Sequence, residues 1–229
     1  MFKKLNNVLI FAAHHDDETI ACGGTIKKLS DQGAKITVVF ATDGSTGVDH
    51  TRNYEQQITS TRAKEAAKVG KILGIEKIIN WFMPCQRLNY NAYLMQKAIK
   101  VIREIKPDLI LTHSTDEKHS DHKELSKIVT QAAWKSSEDI LPDLGKPYRV
   151  PDVWCFEVVD VISDIDYCID ITDQMSFKIQ AMKVYESQEN VVLGIINLIK
   201  GLGMTRGYSI GVEYAEAFRR ISLQPARIQ

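Results

Sequence analysis

The stretch Val8-Leu9-Ile10-Phe11-Ala12-Ala13-His14-His15-Asp16-Asp17-Glu18 decides the fold. Six apolar residues run without a break, and five polar ones follow at once. An unbroken apolar run is the pattern of a strand covered on both faces, because a strand with one wet face alternates. Lys35–Thr42, Lys77–Trp81 and Asp108–Thr112 repeat the pattern. Between and after these runs, Thr19–Gln32, Gln56–Leu73, Tyr93–Ile105 and Lys123–Lys135 have helical spacing, the first three stopped by Gly33, Gly74 and Pro107. Buried strands alternating with helices predict an α/β fold: a doubly wound, mostly parallel sheet with helices on both faces and right-handed crossovers.

Beyond Asp152 the pattern changes. Val153–Val161 and Tyr167–Ile171 read as strands that extend the sheet, with a short link and an antiparallel pairing between them. Gln174–Glu189 reads as a helix, and Glu213–Arg220 as a second one. Val191–Gly211 is apolar and punctuated by glycine, and its spacing assigns no element. It fits either a mobile loop or a contact between copies of the chain in a homo-oligomer. The contact is favoured, since exposed apolar surface is usually covered. With no repeat, low-complexity tract or linker, the expectation is one domain over residues 1–229.

Composition narrows the function. The 229 residues are 44% hydrophobic and 25% charged, enough for a substantial core. Formal net charge is zero, so the basic excess of a nucleic-acid binder is missing. Mixed runs such as Lys64–Lys71 read as solvated helix faces. Cys22, Cys85, Cys155 and Cys168 are too scattered for a disulfide framework and read as small buried side chains. The apolar run at Val8–Ala13 is short for a signal peptide core, and no run has the length of a membrane span. A cytoplasmic protein with neither nucleic-acid nor membrane partners is expected.

Two polar clusters carry the chemistry: His14–Glu18 after the first strand, and His113-Ser114-Thr115-Asp116-Glu117-Lys118-His119-Ser120-Asp121-His122 after the fourth. They hold five of the six histidines, the sixth being His50. Ligands of open α/β sheets bind beyond the carboxyl ends of the strands, where strand order reverses. With the order 3-2-1-4, strands one and four are neighbours there and both clusters enter one crevice. Imidazole and carboxylate together suit a borderline divalent ion, chiefly Zn2+. Two histidines and one carboxylate leave a coordination position open, and the spare acids provide a base for hydrolysis.

The first cluster resembles the A-H-P-D-D-E signature of the PIG-L/LmbE deacetylases, and His119-Ser120-Asp121-His122 resembles their H-x-D-H signature. Thr42-Asp43-Gly44, the helix from Arg62 and Glu65 to Leu73-Gly74, Lys183–Gln188 and Tyr214–Phe218 are similar to further family features. The resemblance implies a Rossmann-like domain that hydrolyses the N-acetyl group of an N-acetylglucosamine-like amino sugar, glycoside or sugar nucleotide, a small-molecule substrate. It implies that His14, Asp17 and His122 hold zinc, that Asp16 is the general base, and that His119 steadies the oxyanion or protonates the leaving nitrogen. Arg62, together with Asp43 near the strand ends, contacts substrate on this reading. Asp121 orients a metal-site histidine, and Glu18 supports the loop. His15 stands where the family has proline, which removes a stiff turn and adds a further imidazole; the filled ligand set around it argues against metal binding.

Other readings compete. An amidase for a larger acyl or thiol conjugate needs the same cluster. A receiver-like signalling or ligand-binding module places paired acids after the first strand but needs no second histidine cluster. Cys22-Gly23-Gly24 is glycine-rich, yet no G-x-G-x-x-G lies between the first strand and its helix, so dinucleotide binding is disfavoured.

Overall fold

The computed structural model describes residues 4–46, 57–189 and 191–223. Parallel strands β1 (Asn7–Ala12), β2 (Lys35–Thr42), β3 (Lys77–Met83) and β4 (Leu109–His113) alternate with helices α1 (Asp17–Asp31), α2 (Ile58–Leu73), α3 (Ala92–Ile105) and α4 (Ser120–Lys135). Strand β5 (Asp152–Phe156) continues the parallel set beside β4. Strands β6 (Tyr167–Asp170) and β7 (Ala215–Arg220) finish the sheet, with helices α5 (Met175–Val184) and α6 (Ile195–Ile210) between them in the chain. The seven-stranded order is β3-β2-β1-β4-β5-β7-β6. Order therefore reverses between β1 and β4, the arrangement under which both polar clusters enter one crevice.

Side chains of a strand alternate between faces, and β1 shows what that makes of an unbroken apolar run. Val8, Ile10 and Ala12 pack on one face against Ala21, Ile26, Val69 and Met182 of α1, α2 and α5. Leu9, Phe11 and Ala13 pack on the other against Leu94, Ile99, Leu125 and Ile128 of α3 and α4. Both faces are dry, so after Asn7 the strand carries no polar residue until it ends.

The C-terminal third departs from its sequence pattern. The segment 213–220, expected as a helix, contains strand β7, wedged antiparallel between β5 and β6. Ala-Glu-Ala-Phe has ordinary helix formers, but tertiary context overrides such propensity. Here Ala215, Ala217 and Phe218 are buried in the sheet, and Glu216 reaches across to α1. The expected pairing of the strands at 153–161 and 167–171 is replaced, because each pairs with β7 instead. The first of them ends at Phe156, before the loop that carries Val158 and Val159. The helix expected over 174–189 stops at Val184, where Tyr185 leaves helical geometry, and a 3-10 turn follows over Glu186–Gln188.

The segment 191–211, which periodicity left without an element, is mostly helix α6, with left-handed Gly194 and Gly211 at its two ends (φ 75° at each). Gly207 is required by close approach: a Cβ there would lie 2.6 Å from the carbonyl oxygens of Val212 and Glu213. Arg206 ties the helix down through two bonds to Glu157, of 3.0 and 2.7 Å. Among the described residues no helix is long and apolar enough to cross a membrane.

Candidate active site

The polar residues that end β1 and β4 meet. Asp17 Oδ2 lies 3.3 Å from His14 Nδ1 and 3.4 Å from His122 Nε2, and those two ring nitrogens are 3.2 Å apart. Asp17 opens α1, and its Oδ2 also accepts the His14 amide at 2.8 Å, which folds the turn back on itself. His122 comes from the first turn of α4, and His119 is that helix's N-cap, with Nδ1 accepting the Asp121 amide at 3.2 Å. His119 packs edge-on to His14 and stacks with His122, ring centres 4.7 and 4.6 Å apart.

Carboxylates fix the outward nitrogens of both central rings. Asp121 Oδ2 lies 3.2 Å from His14 Nε2 and also accepts the Gln86 amide at 2.7 Å. Glu117 Oε2 lies 3.1 Å from His122 Nδ1. Its other oxygen accepts the amides of Val158, Val159 and Asp160 at 3.1–3.2 Å. One side chain thus aims a ring and shapes the β5 loop. Glu117 was not singled out in the sequence, where it sits in a run of polar neighbours with no periodicity to mark it. His113 was quoted there only as part of its cluster. Its Nε2 accepts the Ala13 amide at 2.9 Å, lies 3.3 Å from Asp17 Oδ2, and its ring stacks under His122 at 3.9 Å.

Electrostatics follow from this crowding. Burial works against charge on Asp17, but the imidazoles of His122, His14 and His113 outweigh it and hold the carboxyl well below its usual range. Burial likewise opposes charge on His122, yet Asp17 and Glu117 lift it to about 9. Asp16 is pushed up to about 6 by burial, against the pull of Arg62. Glu18 is pushed up to about 7 by burial, even though Tyr185 and Thr19 each donate to it at 2.7 Å.

Asp16 is held in an unusual backbone conformation, φ 132° and ψ −30°, which costs a non-glycine residue free energy and marks functional loops. Arg62, buried in α2, supplies the restraint: its guanidinium donates to Asp16 Oδ1 at 3.2 Å, to the His15 carbonyl and to the Gly44 carbonyl. His15 turns away from the cluster, its Nε2 2.8 Å from Asn80 Oδ1 and its ring against Phe40. Asp43 is not among the residues that line the cavity, and its Oδ1 is taken up by the amides of Ser45 and Cys85, at 3.0 and 3.1 Å. His50 lies outside the described residues.

The donor set fits a tetrahedral ion. Zinc bonds of about 2.0–2.2 Å set neighbouring ligand atoms about 3.3–3.6 Å apart, close to the 3.2–3.4 Å triangle of His14, Asp17 and His122. Ligand atoms also converge within 4.8 Å in His14, His119 and His122, in Asp17, His113 and His122, and in His14, Cys85 and Asp121. Two of these sets have a competing bond, since His113 Nε2 takes a backbone amide and Asp121 already holds His14 Nε2. The triangle opens onto a cavity of about 390 Å³, whose lining includes Asp16, Arg62, His119 and an apolar side made by the β5 loop and the start of α6.

The family described as PIG-L, GlcNAc-PI de-N-acetylase, matches residues 9–133, more than half the chain. Diacetylchitobiose deacetylase of Thermococcus kodakarensis is 27% identical, over 95% of this chain and 84% of its own. The probable N-acetyl-alpha-D-glucosaminyl L-malate deacetylase 2 of Bacillus cereus is 25% identical, over 82% of this chain and 86% of its own. The solved structure of N,N'-diacetylchitobiose deacetylase from Pyrococcus horikoshii superposes with a TM-score of 0.87 at 29% identity, covering 96% of this chain and 85% of that one.

Proposed function

The chain belongs to the PIG-L family, and from that premise we propose that it is a zinc-dependent hydrolase removing the acetyl group from the nitrogen of an N-acetylglucosamine-like sugar. The observation that carries this reading is the triangle of His14 Nδ1, Asp17 Oδ2 and His122 Nε2 on a cavity wall that also holds Asp16. His14, Asp17 and His122 would hold the ion. Bound there, zinc supplies Lewis acidity toward the amide carbonyl and the attacking water.

The remaining work falls to side chains. Asp16 takes the proton of the attacking water and later passes it to the amide nitrogen, so that the sugar leaves as an amine and the acyl group as acetate. A carboxylate brought to about 6 by burial is a better proton acceptor than an ordinary aspartate and still ionised near neutrality. Arg62 aims it: its two terminal nitrogens are engaged by Asp16 and two carbonyls, while its Nε has no partner among the described residues. A neutral His119 whose Nδ1 accepts the Asp121 amide carries its ring proton on Nε2. That N–H is free to donate to the oxyanion that develops on the carbonyl. Asp121 and Glu117 hold the two ligand rings in register, the usual task of a carboxylate behind a metal-bound histidine.

The test is release of acetate and free amine from N-acetylglucosamine and its glycosides. Activity is expected to vanish on chelation and to return with zinc. Zinc-supplied protein that frees no acetate from any N-acetylated amino sugar contradicts the reading.

A further inference from the structure

The cavity has two chemically distinct sides, and only one is absorbed by the reaction. Its polar floor is the His14, Asp17, His122 cluster with Asp16 and His119; its other side is largely apolar, made by Val158, Val159, Val191, Val192, Ile195 and Leu198, with Gln188 beside them. Three of these, Val159, Val191 and Leu198, are exposed by 52%, 42% and 45%, which sets them at the mouth rather than the floor. Among the described residues, Arg62 is the one lysine or arginine on the lining, and its guanidinium is bonded to Asp16, His15 and Gly44. Nothing described at the mouth therefore neutralises an anionic substituent.

The β5 loop is held in place by a side chain that also touches the cluster. Glu117 accepts the amides of Val158 and Val159 with one oxygen and holds His122 with the other. The apolar wall is thus mechanically tied to the ligand cluster across the cavity. Glu157, bonded to Arg206, ties α6 to the same loop, and Ile195 and Leu198 of that helix line the cavity together with it.

We propose that this mouth is a subsite for an uncharged aglycone that presents an apolar face, and that it discriminates against anionic aglycones. The inference rests on the deacetylase reading above: if the acyl group is acetyl, the reacting amide occupies the floor and the rest of the substrate extends along the apolar wall. A carboxylate or phosphate placed there loses water without gaining a cationic partner among the described residues, whereas an aryl or alkyl face gains by burial.

The experiment compares kcat/KM for three substrates of the zinc-loaded chain: free N-acetylglucosamine, its phenyl glycoside and its 1-phosphate. The phenyl glycoside is expected to exceed the 1-phosphate by about tenfold or more, the scale of partly burying one aromatic ring. Leu198→Lys, on an exposed position, is expected to reduce that ratio by about tenfold, and Val159→Lys, on the facing loop, to do the same. A 1-phosphate hydrolysed as well as or better than the phenyl glycoside overturns the subsite while leaving the deacetylase intact. A ratio unmoved by both substitutions overturns it as well. Failure to release acetate from any of the three overturns the deacetylase reading and the subsite together.

Discussion

Asp17 and Glu216 are both buried carboxylates, one following β1 and the other within β7, and they are satisfied in opposite ways. Asp17 Oδ2 faces the ring nitrogens of His14, His113 and His122 at 3.3–3.4 Å and, among the described residues, pairs with no lysine or arginine. Glu216 is closed on every side: Lys178 at 2.6 Å, the Gly24 amide at 2.9 Å and the Thr25 amide at 2.7 Å. Those two amides belong to α1 just beyond Cys22, where the helix is broken (φ −139°, ψ 22°), so Glu216 caps the second half of the helix whose first half carries Asp17. The same contrast runs through the two regions. The ends of β1 and β4 leave donor atoms open to a cavity. The segments after β5 supply partners that close other carboxylates: Tyr185 to Glu18, Ser187 to Glu65, Lys178 to Glu216. One region is arranged to take a ligand, and the other holds it still.

Substitutions should separate these roles. The largest effect is expected at Asp17. Asp17→Ala should abolish both zinc binding and turnover while the fold remains, which metal analysis, circular dichroism and acetate release would show together. Retention of a full equivalent of zinc would remove Asp17 from the ligand set. Glu216→Ala should do the reverse. It strands Lys178, and breaking a buried pair costs about 3–5 kcal/mol. Denaturant unfolding should register that loss, while zinc content per folded molecule stays near the parent value. A stability change under about 1 kcal/mol would mean that water reaches the pair.

Smaller effects probe the links between the regions. Glu117→Ala frees His122 Nδ1, and partners of this kind are worth about 10–100-fold in metal affinity. Competition with a chelator of known strength would measure it, and unchanged affinity would make Glu117 a loop anchor alone. The smallest effect is expected from Tyr185→Phe. It removes one hydrogen bond to buried Glu18, about 1–3 kcal/mol of stability, and should leave zinc bound. Thermal unfolding with metal analysis would detect the one without the other.

The same contrast explains what could be read from the sequence. The inner parallel strands β1, β2 and β4 are dry on both faces, so they appear as nearly unbroken apolar runs, and the polar clusters after β1 and β4 stand out as abrupt ends. His14, Asp16, Asp17, His119 and His122 were visible for that reason, and the structure brings them to one cavity. Strand β7 was read as helix because its pattern depends on partners far away in the chain; Glu216 meets Gly24 across 192 residues. Glycine in α6 concealed the helix, since Gly207 is there for the close passage of Val212 and Glu213 rather than to end it. Glu117 and His113 left little trace because part of what each holds lies in distant segments: the β5-loop amides for Glu117, and the Ala13 amide and Asp17 for His113.

The central claim is a division of labour between neighbours: Asp17 holds the ion, and Asp16, strained and gripped by Arg62, moves the proton. Asp16→Asn keeps the side chain's size but cannot accept that proton. Zinc stoichiometry and the turnover number of this variant, measured on the same purified sample, test the claim most directly. The account predicts a full equivalent of zinc and turnover lower by about 10²–10⁴-fold, the usual contribution of a general base. A variant that loses its zinc, or that turns over within a few-fold of the parent, would contradict it.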